Sequence, residues 1–168
     1  MFLYNFCPTC KSELELLDDG YQHCVNTECN YIHYGNPIPV VAAIIEYGEE
    51  QVLLAHNVAW PEKWYALITG FLEKGEHPEY AVVREVKEET NLDCEIGSFI
   101  GHYTFRRMNQ IILAYHVKAW GDIQLNEELD DYKLVPFGKV KTWPGGTGKA
   151  LKHFLESKGY EVEEIPFN

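Results

Sequence analysis

Residues 70–92 read GFLEKGEHPEYAVVREVKEETNL, and this stretch decides the fold. Its second part predicts a helix over 78–91. Glu85, Glu88 and Glu89 would share one side of that helix, because residues three and four apart are neighbours on a helix surface. Crowded like charges destabilise an isolated helix, so the pattern favours a compensating divalent cation such as Mg2+ or Mn2+, which prefers oxygen ligands.

A second interpretation of the same helix stays open on the carboxylates alone. An acidic helix side is often simply solvated, with Arg84 and Lys87 here as surface partners. Val82, Val83 and Val86 occupy the adjoining side, which can face a core in either case.

The segment that leads into the helix favours a ligand site. Gly70 and Gly75 bracket a loop that carries Glu73 and Glu76. The backbone of a glycine-containing turn can approach a metal or a phosphate closely. Helix and loop together therefore indicate a metal and phosphate site.

This stretch resembles the Nudix box, G-x5-E-x7-R-E-U-x-E-E-x-G-U, where U is a bulky aliphatic residue. The residues that match it at the right spacing are Gly70, Glu76, Arg84, Glu85, Val86, Glu88, Glu89 and Leu92. Asn91 departs from the box because it stands where the box has its last glycine, and Asn tolerates the left-handed backbone that a helix end often adopts. The resemblance implies an α/β fold, a Nudix α/β/α sandwich with a mixed sheet.

The resemblance also implies a role for each polar residue of the box. Three carboxylates would act in catalysis as ligands of magnesium or manganese, namely Glu85, Glu88 and Glu89. One of them or a nearby carboxylate would be the base toward water. Glu76 would pair with Arg84 to hold the loop against the helix, and a backbone carbonyl at Gly70 would reach a metal.

Nudix hydrolases often use one more carboxylate from a loop beyond the box. The candidate segment is 126–131, Asn-Glu-Glu-Leu-Asp-Asp, and Glu128 is the favoured metal ligand within it. A merely solvated acidic loop is the alternative.

Four of the five cysteines predict a zinc ribbon before the box. They form a C-x2-C pair and a C-x4-C pair, namely Cys7, Cys10, Cys24 and Cys29. In a reducing compartment such pairs indicate zinc rather than disulfides, and four thiolates leave no open position for catalysis. His23 and His33 are substitute candidates that a complete cysteine set makes unnecessary.

The expected domains are a zinc ribbon over 1–35 and a Nudix domain over 36–168. Pro37 and Pro39 mark the boundary, because proline disfavours helix and is excluded from a central strand. The strands expected beyond them are 40–46, 51–56, 66–69, 95–105, 110–120 and 132–136. A last helix over 147–157 would be capped by Thr147 and stopped by Gly159.

A zinc ribbon before a Nudix domain resembles the NADH pyrophosphatase group, and this implies a pyrophosphatase acting on NADH, NAD, ADP-ribose or a related nucleotide. That group's Ser-Gln-Pro-Trp-Pro-Phe-Pro run is absent, and 102–110 stands in its region. This replacement offers aromatic rings for stacking and an arginine for phosphate. The candidate substrate-binding residues are Tyr65, Tyr103, Phe105, Arg106 and Gln110; strand packing is their alternative role.

Charge and composition limit the partners. The net charge of -12 argues against binding to a nucleic-acid backbone, and the first 35 residues hold one Lys and no Arg. No apolar run reaches the roughly 20 residues of a membrane span, so we expect a cytoplasmic protein. The family analogy suggests that the ribbon assists formation of a homodimer. The rival function is a non-catalytic nucleotide-sensing or nucleic-acid-binding module that uses the ribbon.

Overall fold

The computed structural model of the chain describes residues 3–166. Its contacts group into two compact units, one ending at Pro37 and the other beginning at Ile38. None of the helices within 3–166 combines the length and the apolar character needed to cross a membrane.

The first unit contains a three-stranded antiparallel sheet with the order β1-β2-β3. Its strands are β1 (Leu14–Leu16), β2 (Gln22–Cys24) and β3 (Ile32–His33). The first two strands form a hairpin, in which Gly20 takes a positive φ of 84° at the turn. The third strand, which carries no clear periodicity, was not predicted.

The second unit is a mixed sheet with a helix on each face. Its strands are β4 (Ile38–Tyr47), β5 (Gln51–Asn57), β6 (Ile68–Phe71), β7 (Asp93–Phe105), β8 (Gln110–Trp120) and β9 (Leu129–Pro136). The helices are α1 (Pro78–Thr90) and α2 (Gly146–Ser157), and a short parallel pair, β10 (Lys141–Thr142) and β11 (Glu163–Glu164), flanks α2. The six longer strands and the two helices match the predicted order and type, whereas β10 and β11 were not predicted.

The strand order is β7-β8-β4-β5-β9, and β6 pairs with β4 beside this path. β4 and β8 run parallel, whereas the other neighbours are antiparallel. The parallel pair in the middle makes the sheet mixed, as expected.

Alternation along β4 assigns one helix to each face of the sheet. Val40, Ala42 and Ile44 belong to the core cluster that contains the buried residues of α2. Val41 and Ala43 belong to the cluster that contains Val82 and Val86 of α1. Since neighbouring strand residues point to opposite faces, α1 and α2 cover opposite sides of the same sheet.

Two local expectations were wrong. Pro39 lies within β4 beside β8, although proline was expected to exclude a central strand. It is tolerated because β6 begins to pair with β4 only at Val40, so no partner on that side needs the N–H that proline lacks. Thr147 does not cap α2: the N-cap is Gly145 without a side-chain bond, and the Thr147 hydroxyl accepts a bond from the Trp143 indole.

Candidate active site

The second unit contains an open cavity of about 470 Å3 beside β6 and α1. Charged and polar side chains dominate its walls. The lining residues are Val40, Thr69, Gly70, Phe71, Glu73, Arg84, Glu85, Glu88, Glu89, Gln110, Asn126 and Glu128. The three carboxylates predicted on one helix side, Gly70 and Glu128 thus share one space.

Helix α1, which carries the carboxylates, has well-defined ends. His77 is its N-cap and accepts a bond from the backbone N–H of Glu79, and Pro78 fills the first turn, where no N–H is needed. Asn91 closes the helix with a φ of 60°, and its N–H donates to the Lys87 carbonyl. Asn91 therefore adopts the left-handed backbone expected at this position.

Arg84 connects the loop to the helix. Its guanidinium donates to both carboxylate oxygens of Glu76, at 2.8 and 2.9 Å, and to the Phe71 carbonyl at 3.2 Å. The same guanidinium donates to Glu85 at 2.8 Å and to Glu88 at 3.0 Å. A forked pair of this kind fixes orientation as well as charge, so Arg84 and Glu76 hold the loop against the helix.

Gly70 makes room for the Glu85 carboxylate. A β-carbon added at Gly70 would lie 1.8 Å from the carboxyl carbon of Glu85, which is far inside van der Waals contact. The Glu85 side chain is only 13% exposed, so it has little space to move. Glycine at this position is therefore a requirement of close packing between β6 and α1.

The electrostatic strain in the cavity concentrates on Glu89. Burial, followed by the charges of Glu85, Glu128 and Glu88, raises the pKa of Glu89 to about 8. Burial also raises the pKa of Glu85, although Arg84 opposes this. Such crowding of partly buried carboxylates favours protonation or a bound cation.

Glu76 has the opposite environment. The hydrogen bonds from Arg84, together with one from the Glu73 N–H, lower its pKa to about 2. This carboxylate is therefore charged at neutral pH and acts as a permanent partner of the guanidinium.

The loop before β9 completes the cavity. The Asn126 N–H donates to the Glu89 carbonyl at 3.2 Å, and the Asn126 side chain accepts from the Glu128 N–H at 3.0 Å. The Glu128 carbonyl accepts from the Val58 N–H at 3.0 Å. These bonds hold the loop that carries Glu128, the predicted fourth carboxylate, against the end of α1.

The structure brings one of the five candidate substrate-binding residues to the cavity. Gln110 lines it, whereas the other four are not among the lining residues within 3–166. Tyr65 bonds Asp131, and the Lys133 ammonium lies 3.5 Å from its ring centre. Tyr103 bonds His153 of α2 at 2.9 Å.

Phe105 and Arg106 also lie outside the lining. Phe105 packs on the core cluster beneath α2, and Arg106 is exposed on the short 3-10 turn between β7 and β8. Their positions fit the packing alternative for Phe105 and leave the Arg106 side chain directed to solvent.

Sequence reasoning did not name five lining residues as site residues: Val40, Thr69, Phe71, Glu73 and Asn126. Val40, Thr69 and Phe71 come from adjacent strands, with Val40 opposite Phe71. This register is a long-range property that no local motif contains. Glu73 lies in the 70–92 stretch and Asn126 in the 126–131 segment. Their closeness in sequence to predicted metal ligands could have identified them as site residues.

The donor chemistry of the cavity suits a hard divalent cation, because carboxylates and a strand backbone surround it. A set of three or more metal-ligating side chains already clustered occurs, within residues 3–166, only at the cysteines. In the cavity, Arg84 currently neutralises part of Glu85 and Glu88. A cation bound there would therefore compete with that guanidinium for Glu85 and Glu88.

The cysteine cluster lies in the first unit. The sulfurs of Cys7, Cys10, Cys24 and Cys29 all lie within 4.8 Å of one another, and none of these residues is in a disulfide. Four mutually close thiols match the ligand set of a closed tetrahedral zinc site. His23 bonds Asp19, so it has another partner.

The comparison with a family model decides the family, because the NUDIX domain matches residues 36–155. The chain belongs to the Nudix hydrolase family. It is 31% identical over 154 residues to the NAD-capped RNA hydrolase NudC of Vibrio parahaemolyticus, covering 90% of this chain and 58% of that protein. It is 32% identical over 84 residues to the enzyme of the same name from Mycobacterium tuberculosis, covering 50% of this chain and 26% of that one. The chain thus spans between about a quarter and three fifths of these relatives.

Solved structures agree on the fold. A NUDIX hydrolase from Nitrosomonas europaea superposes with a TM-score of 0.76 at 24% identity, covering 98% of this chain and all of that one. An ADP-ribose pyrophosphatase from Streptococcus suis superposes with a TM-score of 0.59 at 21% identity, covering 79% of this chain and all of that one. The Nudix fold expected from the box is confirmed.

Proposed function

We propose that the chain is a magnesium- or manganese-dependent pyrophosphohydrolase that cleaves a nucleoside diphosphate linked to another group, with NADH, NAD or ADP-ribose-like compounds as substrates. One observation carries this proposal: the box carboxylates, Gly70 and Glu128 line a single open cavity. The relatives named for NAD-capped RNA and the fold neighbour named for ADP-ribose support a substrate in which a pyrophosphate joins a nucleotide to something else.

The box residues and Glu128 each have a task in the proposed reaction. Glu85, Glu88 and Glu89 would hold the cations with Glu128 and the Gly70 carbonyl, and a bound cation would offset charge on the pyrophosphate and make a water more acidic for attack on phosphorus. The elevated pKa of Glu89 suits a carboxylate that gains a proton from that water. Arg84 and Glu76 would position these groups without touching the reacting atoms.

A hydrolysis screen tests the proposal. The substrates are NADH, NAD, ADP-ribose, diadenosine polyphosphates and nucleoside triphosphates, each with Mg2+ or Mn2+, and products are identified by mass. Release of AMP from dinucleotides is the expected result. Activity confined to triphosphates would contradict it.

The same screen separates the rival function. A non-catalytic nucleotide sensor would bind these compounds, measured by calorimetry, and leave them intact in the presence of either cation. The carboxylates that line the cavity favour turnover, because a purely sensing site gains nothing from several crowded acids near a phosphate.

We also propose a structural zinc in the first unit, so that residues 1–35 form a ribbon and 36–168 the Nudix domain. Purified protein should contain one zinc per chain by mass spectrometry. Cys24→Ser should lower that stoichiometry, while Cys94→Ser, a matched control outside the cluster, should leave it unchanged. Zinc loss equal in both variants would contradict the assignment.

A further inference from the structure

A buried histidine outside the cavity connects β9 to the loop that follows β5. His56 lies near the end of β5 and is only 6% exposed. Its Nδ1 lies 2.5 Å from the Asp130 carboxylate, and its Nε2 lies 3.2 Å from the Pro61 carbonyl. We define the His56 bridge as these two hydrogen bonds. The proposed reaction gives this side chain no task, although burying an imidazole has a cost that the bridge must offset.

Both ring nitrogens of His56 act as donors. An ionised carboxylate and a proline carbonyl can only accept hydrogen bonds, so a ring that bonds both carries a proton on each nitrogen. The bond to Asp130 raises the pKa of His56, against the effect of burial. A hydrogen bond between two charged groups is about twice as strong as a neutral one. The bridge therefore restrains Asp130 firmly.

Asp130 is the extra residue of a β-bulge. His56 lies opposite Asp131, whereas the next residue of β5, Asn57, lies opposite Leu129. Asp130 is thus the additional residue on β9 at this point of the ladder. Bulges of this kind change the direction of a strand and of the side chains that adjoin them. The His56 bridge therefore fixes the position at which β9 is irregular.

The bulge decides to which face the start of β9 points. Ala55 belongs to the core cluster that contains the buried residues of α1, so the next residue, His56, faces α2, as does Asp131 opposite it. Regular alternation would also turn Leu129, two residues from Asp131, toward α2. Instead, Leu129 is buried in the α1 cluster. The extra residue thus returns the chain to the side of the sheet where α1 carries the cavity carboxylates.

Glu128, which lines the cavity, is the residue next to this buried leucine. Its carbonyl accepts a hydrogen bond from the Val58 N–H at 3.0 Å. Val58 belongs to the loop that His56 bonds through Pro61. The other partner of His56, Asp130, lies two residues beyond Glu128 along the chain. Both hydrogen bonds of the histidine therefore restrain the backbone that carries this carboxylate.

Glu128 needs such a restraint because it faces other acids. Its charge is one of those that raise the pKa of Glu89, so the two carboxylates repel each other. Repulsion would carry Glu128 away from Glu89 if the loop were free to move. A ligand that is already held in place loses less conformational entropy when it binds a cation.

We propose that His56 is a positioning residue, whose bridge between Asp130 and Pro61 holds Glu128 where it binds the catalytic cation. This inference rests on the proposed function, in which Glu128 is a ligand of magnesium or manganese. Residues that orient metal ligands without touching the metal typically contribute about 10- to 100-fold in metal affinity. Since His56 acts through the backbone, we expect an effect at the lower end of this range.

Mn2+ titration followed by electron paramagnetic resonance measures cation binding on the full chain without a substrate. His56→Leu removes both bonds of the bridge and should raise the Kd for Mn2+ about tenfold. In the hydrolysis assay, this variant should need about tenfold more Mg2+ for half-maximal rate, while kcat at saturating Mg2+ stays within about twofold of the wild type. Asp130→Asn weakens the same bridge from its exposed end and should shift the Kd in the same direction, even if His56→Leu does not fold.

His116→Leu is the matched control. His116 is as buried as His56, at 4% exposed, and bonds the Glu46 carboxylate at 2.7 Å, but it stacks on Phe154 of α2. Its loss should lower the urea midpoint as the loss of His56 does, because each change removes one partner of a histidine–carboxylate pair. The Kd for Mn2+ should nevertheless stay within about twofold of the wild type. An equal rise in Kd in both variants would mean general loss of structure and would overturn the inference.

A double-mutant cycle tests whether His56 acts through Glu128. In a chain that already carries Glu128→Gln, adding His56→Leu should change the Kd for Mn2+ by less than about twofold, because the ligand that the bridge positions has been removed. A further rise of about tenfold would show that the histidine acts by another route and would overturn the inference.

The proposed function can fail separately from this inference. Weaker Mn2+ binding by His56→Leu, in a chain that hydrolyses none of the nucleotides in the screen, would contradict the function and support the positioning of Glu128. Equal Mn2+ binding by the wild type, His56→Leu and Asp130→Asn would overturn the inference, and any hydrolysis of dinucleotides would still stand.

Discussion

Helices α1 and α2 pack on opposite faces of one sheet and carry opposite charge. Each buries an apolar side, but the polar side of α1 carries Glu85, Glu88 and Glu89, whereas that of α2 carries mainly Lys and His. Packing requires only the buried side, so the polar side of each helix is free to vary. Burying Glu89 among carboxylates, with a pKa of about 8, destabilises the ionised folded chain. A residue that opposes stability in this way is explained by function, and nothing on α2 shows a comparable conflict.

The first prediction places the same substitution on both helices. Glu89→Gln should lower kcat on the best substrate by about 10²- to 10⁴-fold, because it removes a carboxylate that holds a cation or accepts a proton. Glu156→Gln, on exposed surface of α2, should leave kcat unchanged. Steady-state kinetics with Mg2+ and Mn2+ decide the comparison, and circular dichroism checks that both variants fold. Wild-type turnover by Glu89→Gln would contradict the assignment of the active site to this cavity.

The second prediction adds one methyl group beside each helix. Gly70→Ala should displace the Glu85 carboxylate, because the new carbon would lie 1.8 Å from it, and a shift of about 1 Å can cost up to about 100-fold in rate. Gly146→Ala meets the end of the flexible Ile112 side chain at 2.5 Å and should cost about 1 to 3 kcal/mol of stability instead.

Kinetics on a short dinucleotide and urea unfolding read the two effects separately. The comparison would break if Gly146→Ala lowered kcat as much as Gly70→Ala does, since both changes would then act through general disruption of the sheet.

The sequence predicted the parts of the site that lie within one segment. The helix, the Glu76–Arg84 contact and the left-handed Asn91 all depend on residues at most a few turns apart, so spacing alone was informative. The position of Gly70 against Glu85 could be inferred only from the family motif, because it joins β6 to α1 across the chain.

The rest depended on strand register. Tyr103 and Phe105 are candidates for substrate contact from the sequence, and in the structure both also pack against the core cluster on the α2 face. This packing depends on how β7 pairs with β8, which no local pattern contains.

The third prediction concerns the stability of the fold at acid pH and uses Glu76, the partner of Arg84 in α1. Its folded pKa of about 2 lies below the ordinary value of 4.5, so it contributes stability that is present above pH 4.5 and is lost as the pH falls toward 2. In Glu76→Gln, the urea midpoint should therefore fall less between pH 5 and pH 3 than in the wild type.

Glu156→Gln again supplies the comparison on α2, and its urea midpoint should follow the wild type across this range. An acid dependence in Glu76→Gln as steep as that of the wild type would mean that the titration of Glu76 contributes nothing to stability and would contradict its lowered pKa.

The smallest effect is expected at the ends of the two helices. Asn91 follows α1 with a φ of 60°, and Gly159 takes a φ of 88° just beyond α2. Asn91→Ala and Gly159→Ala should each cost about 1 kcal/mol, because a β-carbon disfavours the left-handed region, whereas Asn91→Gly should stay within about 0.5 kcal/mol of the wild type. Urea unfolding measures all three variants.

Asn91→Gly also restores the last glycine of the Nudix box. If that glycine serves only the backbone turn, kcat will be the same as in the wild type, since Asn91 already makes the turn and its N–H already bonds Lys87. A rise in kcat would mean that this glycine also sets the position of α1. The functional difference between α1 and α2 would then include the residues that end the two helices.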